Sequence, residues 1–110
     1  LSPHVLLAAA LAKVDDLGYF AASDIRAPLR EITGKNYDIP SFSRHLNDFS
    51  EPSRGPVLKK VGTARKFRFR FINPLMQPFV IMNGVSKNLI TDASIQKVLS
   101  VGGGQTTLPL

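Results

Sequence analysis

Residues 66–71 alternate strictly between basic and aromatic side chains, and this pattern restricts the local structure more than any other feature of the chain. In a β-strand, successive side chains point to opposite faces, so the three phenylalanines would share one face and the three cations the other. One face would pack on a core, and the other would carry cations spaced roughly 7 Å apart. A strand pattern over 57–61 and a turn at 62–64 come before it, so the sequence predicts a β-hairpin.

Positive charge is concentrated in the same part of the chain. The 110 residues include 14 lysines and arginines and 8 acidic residues, which gives a net charge of +6. Seven of the cations and none of the acidic residues lie in residues 54–70. Such a local field attracts polyanions and is screened by salt. The alternative interpretation is a solvated basic hairpin that has no partner.

Helical patterns dominate the sequence before the hairpin. Helices are predicted over 2–14, from about residue 23 to Gly34, and over 41–49, and a short strand is predicted at 19–21. Two consecutive helices followed by an antiparallel hairpin are the order of a winged helix-turn-helix domain.

Two further helices are predicted after the hairpin. One covers 74–84 and is stopped by the glycine at its end, and the other covers 92–101 with Asp92 as its cap. Pro78 predicts an irregular start for the first of these, and Pro28 predicts a late start or a kink in the helix before Gly34. The glycine-rich C terminus is typical of a flexible tail.

We therefore predict an α+β fold of the winged helix-turn-helix type, with a three-helix core, a two-stranded hairpin as the wing and an extra C-terminal helix. Residues 1–84 would form this domain, and residues 85–110 would be a C-terminal extension. In such a domain, 41–49 is the candidate recognition helix and 57–71 is the wing.

The polar residues of the recognition helix and the cations of the wing point to nucleic acid. A helix that buries Phe42, Leu46 and Phe49 must turn its other residues toward solvent. Arg44 and Asn47 suit bidentate contacts with guanine and adenine edges in a major groove, and the helix N-terminus suits a phosphate oxygen. The predicted DNA-binding residues are Ser41, Ser43, Arg44, Asn47, Arg54, Lys59, Lys60, Arg65, Lys66, Arg68 and Arg70. The alternatives are ordinary solvent-facing polar residues on the helix and base stacking by the wing phenylalanines.

Catalytic and metal-binding patterns are not found. The sequence contains no cysteine, which excludes a disulfide scaffold, a thiolate zinc site and a cysteine nucleophile. His4 and His45 lie on different predicted helices without acidic neighbours at helical spacing, and the adjacent Asp15 and Asp16 would diverge into solvent. The glycines at 102–104 lack the lysine of a phosphate loop. We expect a module that is not an enzyme, without a cofactor, a metal or a small-molecule substrate.

The longest apolar run, residues 5–12, is too short to cross a bilayer, and no basic segment precedes it as in a signal peptide. The chain begins at Leu1, which we interpret as a domain taken from a longer protein. We expect no membrane partner and a cytoplasmic location, which the lack of cysteine fits.

The chain resembles the C-terminal winged-helix domains of prokaryotic ATPases of the AAA+/STAND type in three stretches. These are RGPVLKKVG at 54–62, RKFRFRF at 65–71 and NPLMQPFVIMNG at 73–84. The similarity is best over 41–84. It implies an accessory domain that follows a nucleotide-binding module, and some relatives of this kind bind DNA. ATP hydrolysis would then belong to a part of the protein outside these residues, which contain no phosphate loop.

A protein-interaction module is the alternative function. A winged helix can dock on its parent ATPase, on an acidic partner or on a second copy of itself, and the cationic strand would then meet acidic side chains. The helix over 74–83 carries more apolar residues than a short terminal helix usually needs, which fits such an interface.

Overall fold

The computed structural model describes residues 1–63 and 66–102, with side chains up to residue 99. This part of the chain is an α+β fold with five α-helices and a small antiparallel sheet. The elements are α1 (Ser2–Leu11), β1 (Phe20–Ala21), α2 (Arg26–Thr33), α3 (Ile39–Phe49), β2 (Leu58–Val61), β3 (Arg68–Phe71), α4 (Met76–Ser86) and α5 (Asp92–Gly102), with 3₁₀ turns at Ala22–Ile25 and Pro52–Arg54.

The sheet has three strands in the order β1-β3-β2. The predicted hairpin forms from β2 and β3, with Leu58 opposite Phe71. The expectation of a two-stranded wing is corrected by β1, which pairs with the other edge of β3. This pairing satisfies backbone groups that an open edge would leave free, and it stacks Phe20 on Phe69 with ring centroids 5.9 Å apart.

Helix α1 lies at the centre of the core. Its sequence is apolar on nearly every side, as expected for a helix that is buried all round. It packs against α2, α3 and α4, and its residues from Leu7 to Leu11 are all buried. The helix ends at Leu11, three residues before the predicted end. Beyond it, the carboxylate of Asp15 accepts hydrogen bonds from the backbone N–H groups of Leu17 and Tyr19 and forms a turn.

The prolines explain where two helices begin. α2 begins at Arg26 and α4 at Met76, so Pro28 and Pro78 are each the third residue of their helix. A backbone N–H in the first turn has no partner within the helix, so proline removes no hydrogen bond there. The predicted late start of the second helix is confirmed. Its predicted end is also confirmed, because Gly34 has the left-handed backbone, with φ of 75°, that ends many helices.

Gly84 has a different role from the predicted one. The helix continues past it to Ser86, so the expected stop at this glycine is wrong. Gly84 is buried where α4 crosses α1, and a Cβ atom added there would lie 2.7 Å from Cδ2 of Leu7. The missing side chain permits this close approach. Near the start of the same helix, Nε2 of Gln77 donates a hydrogen bond of 2.8 Å to the carbonyl oxygen of Ala10.

Helix α5 forms where the sequence predicts a helix over 92–101, but its cap is Thr91 in place of Asp92. The Thr91 hydroxyl accepts a hydrogen bond from the backbone N–H of Ser94 at 3.1 Å. Ile90 and Val98 are buried in the same core cluster as α1. The division after residue 84 stays a prediction. The predicted flexible tail begins at Gly102, which α5 still includes, and the remainder of the tail, residues 103–110, lies outside the described part.

We expect the substitution Gly84→Ala to destabilise the protein. Alanine normally stabilises a helix by about 0.5–1 kcal/mol relative to glycine, but here its methyl group would overlap Leu7. Overpacking of this kind costs about 1–3 kcal/mol, so urea denaturation should show a lower midpoint than wild type. Asn83→Ala is the control, since Asn83 is exposed on the same helix, and its midpoint should be unchanged or higher. A raised midpoint for Gly84→Ala would contradict the close crossing of the two helices.

Candidate nucleic-acid interface

Three cations project from the outer face of the sheet. Lys59 lies directly opposite Arg70 across the β2–β3 pair, and Arg68 lies two residues before Arg70 on β3. Residues that face each other or are two apart on a strand point to the same side. Phe69 and Phe71, which alternate with the arginines, are buried on the other side. We call Lys59, Arg68 and Arg70 the basic sheet face.

Tyr19 holds one of these cations in place. The guanidinium carbon of Arg70 lies 5.0 Å from the centroid of the Tyr19 ring, a cation–π contact. Tyr19 is itself fixed by the turn described above, in which Asp15 bonds its backbone N–H at 2.9 Å. Neither Tyr19 nor Asp15 is among the residues that the sequence predicts for the site. The feature that could have identified Tyr19 is its place just before β1, the strand that pairs with the edge of the basic strand β3.

The basic sheet face has no ion pair within the described part of the chain. The ion pairs of that part lie elsewhere and join Arg54 to Asp48 at 3.6 Å and Lys97 to Glu31 at 3.4 Å. Lys59, Arg68 and Arg70 form no ion pair with any residue that the structure describes. Like charges directly opposite each other in a sheet are destabilising, so the Lys59–Arg70 pair is an electrostatic cost that a bound anion would relieve.

One carboxylate near this face is affected by its charge. The pKa of Asp15 is lowered below its ordinary value of 3.8, mainly by the hydrogen bond from the backbone N–H of Tyr19. The N–H of Leu17 and the positive charge of Arg68 lower it further, while partial desolvation acts in the opposite direction. Asp15 is therefore ionised at neutral pH and keeps the loop beside β1 in its turn.

Lys60 lies on the other side of the sheet from Lys59. It is opposite Phe69 on β3, and its ammonium group lies 3.9 Å from the centroid of the Phe67 ring. The same ammonium donates a hydrogen bond of 2.8 Å to Oδ1 of Asn47 on α3. The structure thus does not bring Lys60 onto the basic sheet face. It uses Lys60 to join the wing to the helix, and the predicted phosphate contact of Lys60 stays a prediction.

The outer side of α3 presents the polar residues that its apolar stripe predicts. Phe42 and Leu46 are fully buried, and Arg44 and Asn47 are exposed on the opposite side. The Arg44 side chain makes no hydrogen bond or ion pair with another described residue. The helix begins at Ile39, two residues before the predicted start, so Ser41 is its third residue and is exposed.

A groove of about 530 Å³ connects α3 to the wing. Ser43 and Asn47 line it on the helix side, and Lys66, Phe67 and Arg68 line it on the sheet side. Residues with hydroxyl, amide and cationic side chains therefore line one concave surface between α3 and the sheet. Donors of these kinds suit phosphate and base-edge acceptors.

Two of the predicted residues stand apart from this arrangement. Arg54, in the 3₁₀ turn after α3, is paired with Asp48, so part of its charge is already neutralised. Arg65 lies outside the described residues. Of the two histidines, His45 is engaged at the other side of α3, where its Nδ1 lies 2.8 Å from the hydroxyl of Ser2.

No group of histidine and acidic side chains within residues 1–63 and 66–102 is arranged to hold a metal ion. Among the helices that the structure describes, none has the length and apolar character required to cross a membrane.

Comparisons with protein-family models, curated proteins and solved structures find no match to this chain. The function is therefore inferred from the geometry of the interface itself.

The charge of Asp15 gives a test of the loop beside β1. Its lowered pKa means that the ionised form stabilises the fold above a pH of about 4, and that this stabilisation is lost as the pH falls through the folded-state pKa. Asp15→Ala should therefore lower the free energy of unfolding at neutral pH, and the difference from wild type should shrink in acid. Asp15→Asn keeps an oxygen acceptor and should lose less. Urea unfolding between pH 3 and pH 7, read by circular dichroism, measures this, and a difference that does not change with pH would contradict it.

Proposed function

We propose that this chain is a winged helix-turn-helix module that binds duplex DNA. The order of α1, β1, α2, α3, β2 and β3, and the β1-β3-β2 sheet, support this type of fold. The observation that carries the proposed function is the basic sheet face, whose cations form no ion pair with any described residue. Its field would attract the phosphate backbone.

In this proposal α3 enters the major groove. Its 11 residues span about 16 Å, and a groove roughly 12 Å wide admits one helix. Arg44 would contact a guanine edge, since a guanidinium can donate two parallel hydrogen bonds to O6 and N7. Ser41 and Ser43 would contact phosphate or base edges from the first half of the helix.

Asn47 would act as a switch between the free and the bound state. In the free protein its Oδ1 holds the ammonium of Lys60. A hydrogen bond from a charged group contributes about 1.5–3 kcal/mol, so an adenine edge, which binds an asparagine amide through both a donor and an acceptor, would displace Lys60. The released ammonium would then reach a phosphate, which is how Lys60 would contribute to binding.

The wing would bind the phosphate backbone through Lys59, Lys66, Arg68 and Arg70. Contacts of this kind position a protein on DNA without reading its sequence. We further propose, from the resemblance over residues 41–84, that the module is an accessory part of a larger cytoplasmic ATPase. If an acidic protein is the true ligand of the wing, duplex DNA will not bind in a fluorescence anisotropy titration.

The salt dependence of binding should report Lys60 together with Lys59, Lys66, Arg68 and Arg70. If each of these five cations neutralises one phosphate, the slope of log affinity against log salt concentration should be about −4.5, at roughly 0.9 per contact. Lys59→Gln should reduce the magnitude of this slope by about 0.9 for every sequence alike. Fluorescence anisotropy with random duplex DNA at several salt concentrations measures it. Lys87→Gln, an exposed lysine after α4, is the control and should change little, and a wild-type slope near zero would reject DNA binding.

Sequence preference should depend on α3. Selection of binding sites from random duplexes, followed by competitive titration, should show that Arg44→Ala and Asn47→Ala each relax the preference at one position. The discrimination lost should be about 1–3 kcal/mol. Arg26→Ala removes an exposed arginine from α2 and should leave the preferred sequence unchanged. If the two α3 variants keep the wild-type preference, α3 is not the reading helix.

A further inference from the structure

Six large apolar side chains are exposed in the loop before β1, just after β3 and along α4. Ile72 shares a groove of about 190 Å³ with Val14 and Leu17, and Leu75 follows shortly after it in the chain. Leu75, Phe79 and Met82 then continue along α4 at spacings of four and three residues, which places them on one side of the helix. We call Val14, Leu17, Ile72, Leu75, Phe79 and Met82 the apolar patch. These six are between 44% and 75% exposed.

The core of this chain does not need the patch. The opposite side of α4 already packs on α1, where Val80 and Gly84 are buried. Monomeric proteins rarely expose a contiguous apolar area larger than a few hundred Å². The described part of the chain has eight exposed large apolar residues, and six of them are in this patch.

We propose that the apolar patch is the interface of a homodimer, in which α4 packs antiparallel to α4 of a second copy. A two-fold axis near Phe79 would bring Leu75 of one protomer against the partner's Met82, and the reverse contact follows from the symmetry. The pattern of the exposed side chains is thus complementary to itself.

The charge distribution favours a second copy over a charged partner. Two chains with a net charge of +6 repel each other, so they can associate only where few charges meet. Residues 71–86 contain no charged residue, so the contact between the two α4 helices themselves brings no like charges together. An acidic partner, in contrast, would find no cation on this helix to pair with.

The size of the patch fits a dimer of modest affinity. Stable interfaces bury roughly 800 Å² on each partner. Two helices of 11 residues cover less than this, but Val14, Leu17 and Ile72 widen the contact beyond the end of α4. Together the six side chains of the apolar patch, each at least 44% exposed, provide several hundred Å² of contact area. We expect dissociation in the micromolar range, because an interface near the lower size limit leaves little surplus free energy.

Sedimentation equilibrium of the whole chain without nucleic acid tests the dimer independently of DNA binding. The mass should rise from 12.0 kDa toward twice that value as the concentration is raised through the micromolar range. Leu75→Glu and Phe79→Glu should each weaken the dimer by at least about tenfold, since each would bury two carboxylates beside the two-fold axis. Circular dichroism should show both variants folded, because both positions are exposed in the monomer.

Leu1→Glu is the matched control. It makes the same change of side chain at a position that is 40% exposed and outside the apolar patch, so it should leave the dissociation constant unchanged. A wild-type chain that stays at 12.0 kDa at every concentration overturns the proposal and assigns the patch to another occupant. An association that neither Leu75→Glu nor Phe79→Glu weakens also overturns it. If Phe79→Glu does not fold, Leu75→Glu alone gives the same decision.

Discussion

The register of β3 determines which surface this protein offers to a ligand. Phe69 and Phe71 are buried, so Arg68 and Arg70 must project from the opposite face of the sheet. A shift of one residue would place both arginines in the core, where an unpaired charge costs several kcal/mol. The position of the cations is therefore fixed by the packing of the phenylalanines, and no ion pair is needed to hold them. Tyr19 adds to this by stacking on Arg70 from its position just before β1.

The buried helix α1 sets the positions of the remaining elements around this sheet. It contacts α2, α3 and α4 at once, as its apolar side chains on nearly every side allow. At its N-terminus the Ser2 hydroxyl meets His45 of α3, and near its middle Leu7 meets Gly84 of α4. The first contact orients the polar side of α3 toward solvent beside the wing. The second contact packs one side of α4 closely on α1. The apolar side chains on the other side of α4 therefore face outward.

Patterns that are local in sequence predicted most of the elements. The alternation at 66–71 predicted the strand and its two faces, and Gly34 predicted a helix end, because in both cases one short segment determines its own geometry. Contacts between distant segments could not be derived in this way. The pairing of β1 with β3 depends on the packing of Phe20 on Phe69. The role of Gly84, which permits the close crossing of α4 and α1, depends on Leu7. Lys60 was grouped with the other cations by charge, although its position next to Lys59 already required it to point to the other side of the strand.

The two exposed surfaces of this chain meet at the end of β3. Arg70, the last cation of the basic sheet face, lines the same groove as Ile72, which belongs to the apolar patch. Between them the chain passes through Phe71, which is buried and leaves no freedom for one surface to move without the other. Association through the apolar patch would therefore hold two basic sheet faces in one fixed relation. Because their charges would then act together on one polyanion, a weak self-association would increase its attraction beyond what a single wing provides.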